Sequence, residues 1–128
     1  MHLKHIAQVS STEENADRLY QDVFGLKKIN EKMLPASLAN DIFNVNTELK
    51  IVNYANDALH FEIFISNTHH IQTDNIGHVC LEVENLEAFL ERCRQNAVEV
   101  VQVPKGDALI TFIRDIDGGL FEIKSLNP

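Results

Sequence analysis

The chain has 128 residues, 45% of them hydrophobic, with two cysteines and a formal net charge of −8. This composition predicts one compact globular domain, and the acidic balance argues against nucleic acid and anionic membranes as partners, since both are polyanions. No apolar run reaches the length of a membrane span, no signal-peptide pattern is visible and two cysteines make no disulfide framework, so we expect a cytoplasmic protein.

The first predicted elements are a strand opened by His5, residues 5–9, and an amphipathic helix. One apolar stripe of that helix follows the spacing i, i+3, i+4, i+7. Its members are Ala16, Leu19, Tyr20 and Val23. Ser11 and Glu14 have the spacing of a capping box, and Gly25 suits a left-handed residue just past the helix end.

The rest of the first half is predicted to be rich in strands. Three β-rich segments, residues 26–34, 41–45 and 49–54, precede a strand over residues 59–66. The longer first half is predicted to carry longer loops between its strands than the second half. A polar linker over residues 67–75 follows, in which His69 and His70 are expected to be solvated.

The second half repeats this order of elements. A strand opened by His78, residues 78–83, leads into a helix that Asn85 can cap and that ends with Asn96 in a left-handed conformation. The apolar stripe of the helix consists of Leu86, Phe89, Leu90 and Cys93. The remaining strands are predicted over residues 98–104, 108–115 and 119–125. Each half is therefore predicted to be a βαβββ module, module 1 being residues 1–66 and module 2 residues 76–128.

The tripeptide Phe-Glu-Ile occurs in the last strand of each half, with Glu62 in the first copy and Glu122 in the second. Because strand side chains alternate between faces, each glutamate points away from the apolar face that packs on the helix. A buried carboxylate is costly without a partner. If a pseudo-twofold relates the halves, the two glutamates converge with His5 and His78, and this donor set suits a divalent transition metal.

Three stretches carry a resemblance to a known family: HIAQVSSTEENADRLYQDVFGLKKI, IGHVCLEVENLEAFLERC and FIRDIDGGLFEIKS. They resemble the vicinal oxygen chelate superfamily, which includes glyoxalase I, methylmalonyl-CoA epimerase, extradiol dioxygenases and bleomycin- and fosfomycin-resistance proteins. The third stretch differs from the family ending in having Ile116 where proline is usual. The resemblance implies an α+β fold in which two βαβββ modules form a cupped mixed sheet around a metal site.

The resemblance also implies a ligand set. Its metal positions are His5, Glu62, His78 and Glu122, a combination most similar to bacterial glyoxalase I. The metal is expected to be nickel, cobalt, zinc, manganese or iron, and the protein a homodimer. Glyoxalase I usually holds glutathione with an arginine and an asparagine where this chain has Val9 and Ser66, whereas Lys105 resembles a lysine of the family.

The function implied is that of a lactoylglutathione lyase-like metalloenzyme that moves a proton next to a carbonyl. Glu122 is expected to be the catalytic base, with Glu62 as its symmetric alternate or partner acid. The substrate would be a small α-hydroxycarbonyl compound such as a hemithioacetal formed with a thiol. Two alternatives stay open: a small-molecule binding or resistance protein on the same scaffold, and an acyl-thioester epimerase.

Other polar and sulfur-containing residues receive structural interpretations. We expect Cys80, which shares a strand face with His78, to be a small buried hydrophobe, with a place in the pocket lining as the alternative, and Cys93 to belong to the core. His60 is expected at the rim of the pocket or behind the metal ligands. Lys105 and Arg114 are expected to be surface charges, with an anionic substrate as the alternative. Residues 117–119 are expected to form the turn into the last strand.

Overall fold

The computed structural model describes residues 1–68 and 76–127. The chain divides into two compact units, Met1–His70 and Ile71–Pro128. Most of the predicted linker, including His69 and His70, lies outside the described residues. In the described part of the chain, no helix is long and apolar enough to span a membrane.

The first unit is a four-stranded mixed sheet with helices. In chain order its elements are β1 (Ile6–Ser10), α1 (Glu13–Ala16) with a π-helical continuation (Asp17–Val23), β2 (Lys27–Leu34), α2 (Ala36–Phe43), β3 (Leu49–Ala55) and β4 (His60–Ile65). The strand order is β1-β4-β3-β2. The first and last strands of the unit, β1 and β4, pair in parallel, whereas β3 pairs antiparallel with both β4 and β2.

The second unit repeats this topology. Its elements are β5 (Val79–Val83), α3 (Leu86–Gln95), β6 (Glu99–Lys105), β7 (Ala108–Arg114) and β8 (Leu120–Ser125). The strand order is β5-β8-β7-β6, again with one parallel pair, β5 with β8, and two antiparallel pairs. The prediction of an α+β fold with two βαβββ modules is confirmed.

Helix α2 corrects two predictions about the first half. Residues 41–45 were expected to be β-rich because Ile42, Phe43 and Val45 favour strands. Instead, Pro35 holds an extended conformation before the first helical turn, and Asn44 ends the helix with φ 58°. The greater spacing of the first histidine and glutamate therefore reflects an added helix rather than longer loops alone.

Two helix ends also differ from the predictions by one residue. Thr12, not Ser11, caps the first helix, since its side chain accepts a hydrogen bond from the Asn15 backbone N–H at 3.0 Å. At the end of α3 the left-handed residue is Ala97, with φ 60°, rather than Asn96. The Asn96 side chain donates to the Arg92 carbonyl at 2.8 Å, which keeps Asn96 over the last turn. Gly25 is left-handed as predicted, with φ 74°.

Each sheet buries one face against its helix. In the first unit Tyr20 stacks on Tyr54, with ring centroids 5.3 Å apart, and lies 5.1 Å from the Phe61 ring. In the second unit the buried side chains include Phe89, Leu90 and Cys93 of α3 and Phe121 and Ile123 of β8. The predicted stripes therefore face the core, and burial raises the pKa of the Cys93 thiol to about 11.

A polar cluster ties the first helix to the sheet beneath it. The Tyr54 hydroxyl donates to Asp17 Oδ1 at 2.6 Å, and Lys28 Nζ lies 2.8 Å from the same oxygen. Lys28 Nζ also lies 2.7 Å from Glu13 Oε2, and Lys50 Nζ lies 2.6 Å from Glu13 Oε1. The hydrogen bonds from the Lys28 and Lys50 ammonium groups lower the pKa of Glu13. The pKa of the Tyr54 hydroxyl is raised, chiefly by burial and also by its hydrogen bond to Asp17.

Candidate metal and substrate site

The first candidate pair consists of His5, immediately before β1, and Glu62 in β4. The parallel register sets Ala7 opposite Glu62, so a residue two positions earlier on β1 can reach back to the carboxylate. His5 Nε2 lies 3.8 Å from Glu62 Oε1, and the two side chains are 35% and 17% exposed. Among the described residues, His5 is the only ion-pair partner of Glu62, so this mostly covered carboxylate lacks a strong cation.

The second pair has the same construction. His78 comes immediately before β5, and the parallel register sets Cys80, two positions later, opposite Glu122. His78 Nε2 lies 3.3 Å from Glu122 Oε1, with side chains 31% and 21% exposed. The two modules therefore repeat a local arrangement of side chains as well as an order of strands.

The tautomer of His78 favours a cation at this pair. His78 Nδ1 lies 2.9 Å from the Ile76 carbonyl oxygen, which accepts only, so Nδ1 carries the proton. In the neutral ring Nε2 then presents a lone pair to a carboxylate oxygen. Two acceptors at this separation need either a second proton or a shared cation between them, and a carbonyl-anchored histidine is a usual metal ligand.

Each unit supplies two candidate metal ligands, one histidine and one glutamate. Within the described parts of the chain, no group of three or more histidine, cysteine, aspartate or glutamate side chains is placed to hold a metal ion. The structure therefore brings His5 to Glu62 and His78 to Glu122, and the joining of both pairs at one ion belongs to the function proposed below.

His60 lies beside the first pair and forms part of a partly buried chain of polar side chains. Its ring centroid is 5.7 Å from that of His5. His60 Nε2 lies 2.7 Å from Asn53 Oδ1, and Asn53 Nδ2 donates to Asn30 Oδ1 at 2.9 Å. Because Asn53 is only 5% exposed, this chain holds the His60 ring in place. The expected place of His60, at the pocket rim or behind the metal ligands, stays a prediction, and Asn30 and Asn53 were not singled out from the sequence.

An apolar pocket of about 230 Å³ lies on the other side of Glu62 along the strand. Its walls are Ala7, Gln8, Val9, Phe43, Val45, Leu49, Phe64 and Ser66. Helix α2 supplies Phe43, whose ring meets that of Phe64 edge-on at 5.4 Å. The pocket was missed because α2 was not predicted, although Pro35 and the i, i+4 spacing of Leu38 and Ile42 are helix signals.

The second unit has a wider, more polar groove beside Glu122. Glu82, Thr111 and Lys124 are among its lining residues, and its volume is about 620 Å³. Lys124 Nζ lies 3.9 Å from Glu122 Oε2. This is the lysine nearest the candidate pair, whereas Lys105 is exposed near the β6–β7 turn.

Two sequence interpretations of nearby residues have clear outcomes. Cys80 is exposed, so the expectation of a buried hydrophobe is wrong: it lies on the strand face that α3 does not cover. Partial desolvation and then the charge of Glu122 raise the pKa of its thiol. Arg114 Nη1 donates a hydrogen bond to the Gly118 carbonyl oxygen at 3.5 Å, which links the Arg114 side chain to the turn over residues 117–119.

Two four-stranded modules have the same strand order, and each pairs a histidine before its first strand with a glutamate in its last strand. This arrangement defines the class of paired βαβββ proteins. The model of the Glyoxalase/Bleomycin resistance protein/Dioxygenase superfamily matches residues 2–123. The chain belongs to this superfamily, which confirms the resemblance drawn from its motifs. Among curated proteins, no sequence matches the chain significantly.

Several solved structures share the fold. The fosfomycin resistance protein FosX from Listeria monocytogenes, complexed with Mn(II) and a sulfate ion, has a TM-score of 0.72 and 17% identity, covering 97% of this chain and 89% of that one. A glyoxalase family protein from Enterococcus faecalis has a TM-score of 0.72 and 18% identity, covering 95% of both chains. FosX from Mesorhizobium loti has a TM-score of 0.69 and 13% identity, covering 96% and 90%.

Proposed function

We propose that this chain is a metal-dependent enzyme that moves a proton between adjacent carbons of a small α-hydroxycarbonyl substrate, as a glyoxalase I-like lyase or isomerase does. His5, Glu62, His78 and Glu122 are the proposed ligands of one divalent transition metal, in a protein that acts as a homodimer. The observation that carries the proposal is the repeated pair: two modules each set a histidine nitrogen within 4 Å of a largely covered carboxylate.

The residues present suit such an ion. Imidazole nitrogen and carboxylate oxygen are donors that nickel, cobalt, zinc, manganese and iron all accept. The His78 ring is anchored at Nδ1 on the Ile76 carbonyl, and its Nε2, 3.3 Å from Glu122 Oε1, is the nitrogen that would bind the ion. Mn(II) in the Listeria structure supports the class of ion without selecting one.

The chemistry divides between the ion and the side chains. A bound divalent ion polarises a carbonyl oxygen and stabilises the negative charge that develops on it. Glu122 accepts the proton from the carbon next to the carbonyl, and the electron pair of the broken C–H bond moves into the new carbon–carbon double bond of an enediolate. A proton then returns to the neighbouring carbon from Glu122 or from Glu62, the hydroxyl proton passes to the former carbonyl oxygen, and a new carbonyl forms at the carbon that lost its hydrogen. The substrate is therefore isomerised without net oxidation.

A second candidate function is resistance chemistry of the kind named for the FosX structures. The observation that favours it is Lys124, which lies beside Glu122 in the polar groove and could meet an anionic substrate. An acyl-thioester epimerase would use the same two glutamates and differ mainly in substrate.

The test combines metal and substrate. Purified protein is stripped, reloaded with each of the five metals, and assayed with methylglyoxal plus several thiols, with fosfomycin and with an acyl-thioester. We expect isomerisation of a hemithioacetal, and Glu122→Gln should lower kcat about 10²- to 10⁴-fold while metal stays bound. Glu84→Gln, at an exposed carboxylate, is the matched control. Activity on fosfomycin alone would select the second function, and full activity of Glu122→Gln would remove Glu122 as the base.

A further inference from the structure

We propose that the apolar pocket of the first unit binds a hydrophobic substituent of the substrate, an aryl or branched alkyl group, in place of the peptide part of a glutathione adduct. This inference rests on the proposed function for its link to catalysis. The binding of an apolar group to the pocket can be tested without it.

The pocket lies next to Glu62, the proposed metal ligand and alternate proton donor of the first unit. Phe64 follows Glu62 by two residues on β4 and faces the same way, and Val9 is its partner on β1. Residues two apart on a strand are separated by about 7 Å. A substituent attached one or two bonds from the reacting carbon therefore reaches the pocket while that carbon lies near Glu62.

The polarity of this sheet face is graded along the strand. On one side of Glu62 along β4 lies His60, which is hydrogen-bonded to the buried Asn53, the residue opposite Glu62 on β3. On the other side lie Phe64, Leu49 and Phe43. A substrate with its oxygen atoms at one end and a hydrocarbon group at the other matches this gradient in a single orientation.

The size of the pocket sets the class of substituent. A cavity of about 150 Å³ lined by aliphatic and aromatic side chains is enough to hold benzene. The present pocket, at about 230 Å³, takes a phenyl ring or a branched alkyl group of similar size. A methyl group would leave most of its wall without contacts.

The same walls disfavour a charged thiol peptide. Val9 and Ser66 line the pocket at the two positions where the family resemblance places the arginine and asparagine that hold glutathione. None of the pocket's lining residues is charged. Transfer of carboxylate or ammonium groups into such a wall is costly because nothing replaces their hydration.

Binding is tested first, with benzene as the probe and backbone amide NMR shifts of the full-length protein without added metal. We expect saturable shifts at Val9, Val45 and Phe64. Val9→Trp, which fills the pocket, should weaken benzene binding at least about tenfold, a change of about 1.4 kcal/mol. Val103→Trp, at an exposed residue of β6, is the matched control. Shifts confined to other residues, or unchanged affinity in Val9→Trp, would overturn the proposal.

A second variant tests the pocket independently, in case Val9→Trp does not fold. Phe43→Ala removes one wall from a half-exposed helix position and should also weaken benzene binding, whereas Leu38→Ala on the same helix should not. Equal loss in both alanine variants would show that the helix, rather than the pocket, is responsible and would overturn the proposal.

Substrate preference is tested second, with the hemithioacetals of phenylglyoxal and methylglyoxal and one small uncharged thiol. We expect a higher kcat/KM for the phenyl compound and reversal of that preference in Val9→Trp. Activity without this preference would overturn the proposed role of the pocket. Saturable benzene binding in a protein inactive on every carbonyl compound would refute the proposed function and leave the pocket as an apolar ligand site.

Discussion

His78 and Glu122, which are separated by 44 positions in the chain, meet with Nε2 3.3 Å from Oε1. The parallel pairing of β5 with β8 produces this contact, and the pairing of β1 with β4 produces its counterpart between His5 and Glu62. A strand and its parallel neighbour are never adjacent in the chain, because a crossover must connect them. Each pair is therefore a product of the module fold.

The first prediction concerns these pairs as metal ligands. Loss of a residue that only hydrogen-bonds to a metal ligand lowers metal affinity by up to about 100-fold. Because His5→Ala and His78→Ala remove proposed ligands themselves, each should lower the affinity for a divalent transition metal by more than that. Isothermal titration of the stripped protein with Ni²⁺ or Mn²⁺ measures this. His2→Ala, at an exposed histidine, is the control. A loss in only one of the two variants would contradict a single ion shared by both modules.

The second prediction concerns the clamp between helix and sheet in the first unit. Tyr54→Phe removes the donor that Asp17 accepts at 2.6 Å, and a hydrogen bond to a charged group is worth about 1.5–3 kcal/mol. We expect the free energy of unfolding to fall by roughly that amount in urea denaturation. In a double-mutant cycle with Asp17→Ala, which removes the acceptor oxygen, the two losses should not add fully, since both variants remove the Tyr54–Asp17 hydrogen bond. Full additivity would show that the two groups are not coupled.

The third prediction concerns pH and the carboxyl group of Asp115. Burial raises the pKa of Asp115 to about 6, despite hydrogen bonds from the Gly119 and Asp117 backbone N–H groups at 2.6 and 3.0 Å. The folded state therefore binds more protons than the unfolded state between about pH 4 and pH 6, so this group's contribution to stability falls as the pH rises through that window. The difference amounts to about 3 kcal/mol at neutral pH.

Asp115→Asn should remove that dependence, because asparagine keeps an oxygen acceptor for both N–H groups and carries no charge. We expect the variant to be more stable than the parent at pH 7 and no more stable at pH 4, as measured by urea denaturation at both values. Asp57→Asn, at an exposed loop position, should show no such crossover. A variant that is less stable than the parent at pH 7 would contradict the direction assigned to Asp115.

Much of the fold could be predicted from local patterns. The stripes of Leu19 with Tyr20 and of Phe89 with Leu90 identify helices because a 3.6-residue period places them on one face. The alternation around Glu62 and Glu122 identifies strands for the equivalent reason. Gly25 could be assigned because few other residues accept its positive φ.

Other features depended on contacts that no local pattern reports. Residues 41–45 have strand-forming side chains, but Pro35 and Asn44 delimit a helix that packs Phe43 against Phe64. Cys80 is apolar enough for a core, but the face of β5 on which it lies is not covered by α3. The chain from His60 through Asn53 to Asn30 spans three strands and appears only when their register is known.

By itself, the sequence determined the two modules, the helix that follows the first strand of each and the four residues that chemistry singles out, because periodicity and residue type are local properties. The module repeat also predicted that Glu62 belongs with His5 and Glu122 with His78, and the structure confirms both pairs. Only the tertiary structure decided how closely each histidine approaches its glutamate, since the parallel register is set by packing across the whole sheet. The same holds for the apolar pocket beside Glu62. Its walls come from β1, α2, β3 and β4, and their enclosure is a property of the folded unit.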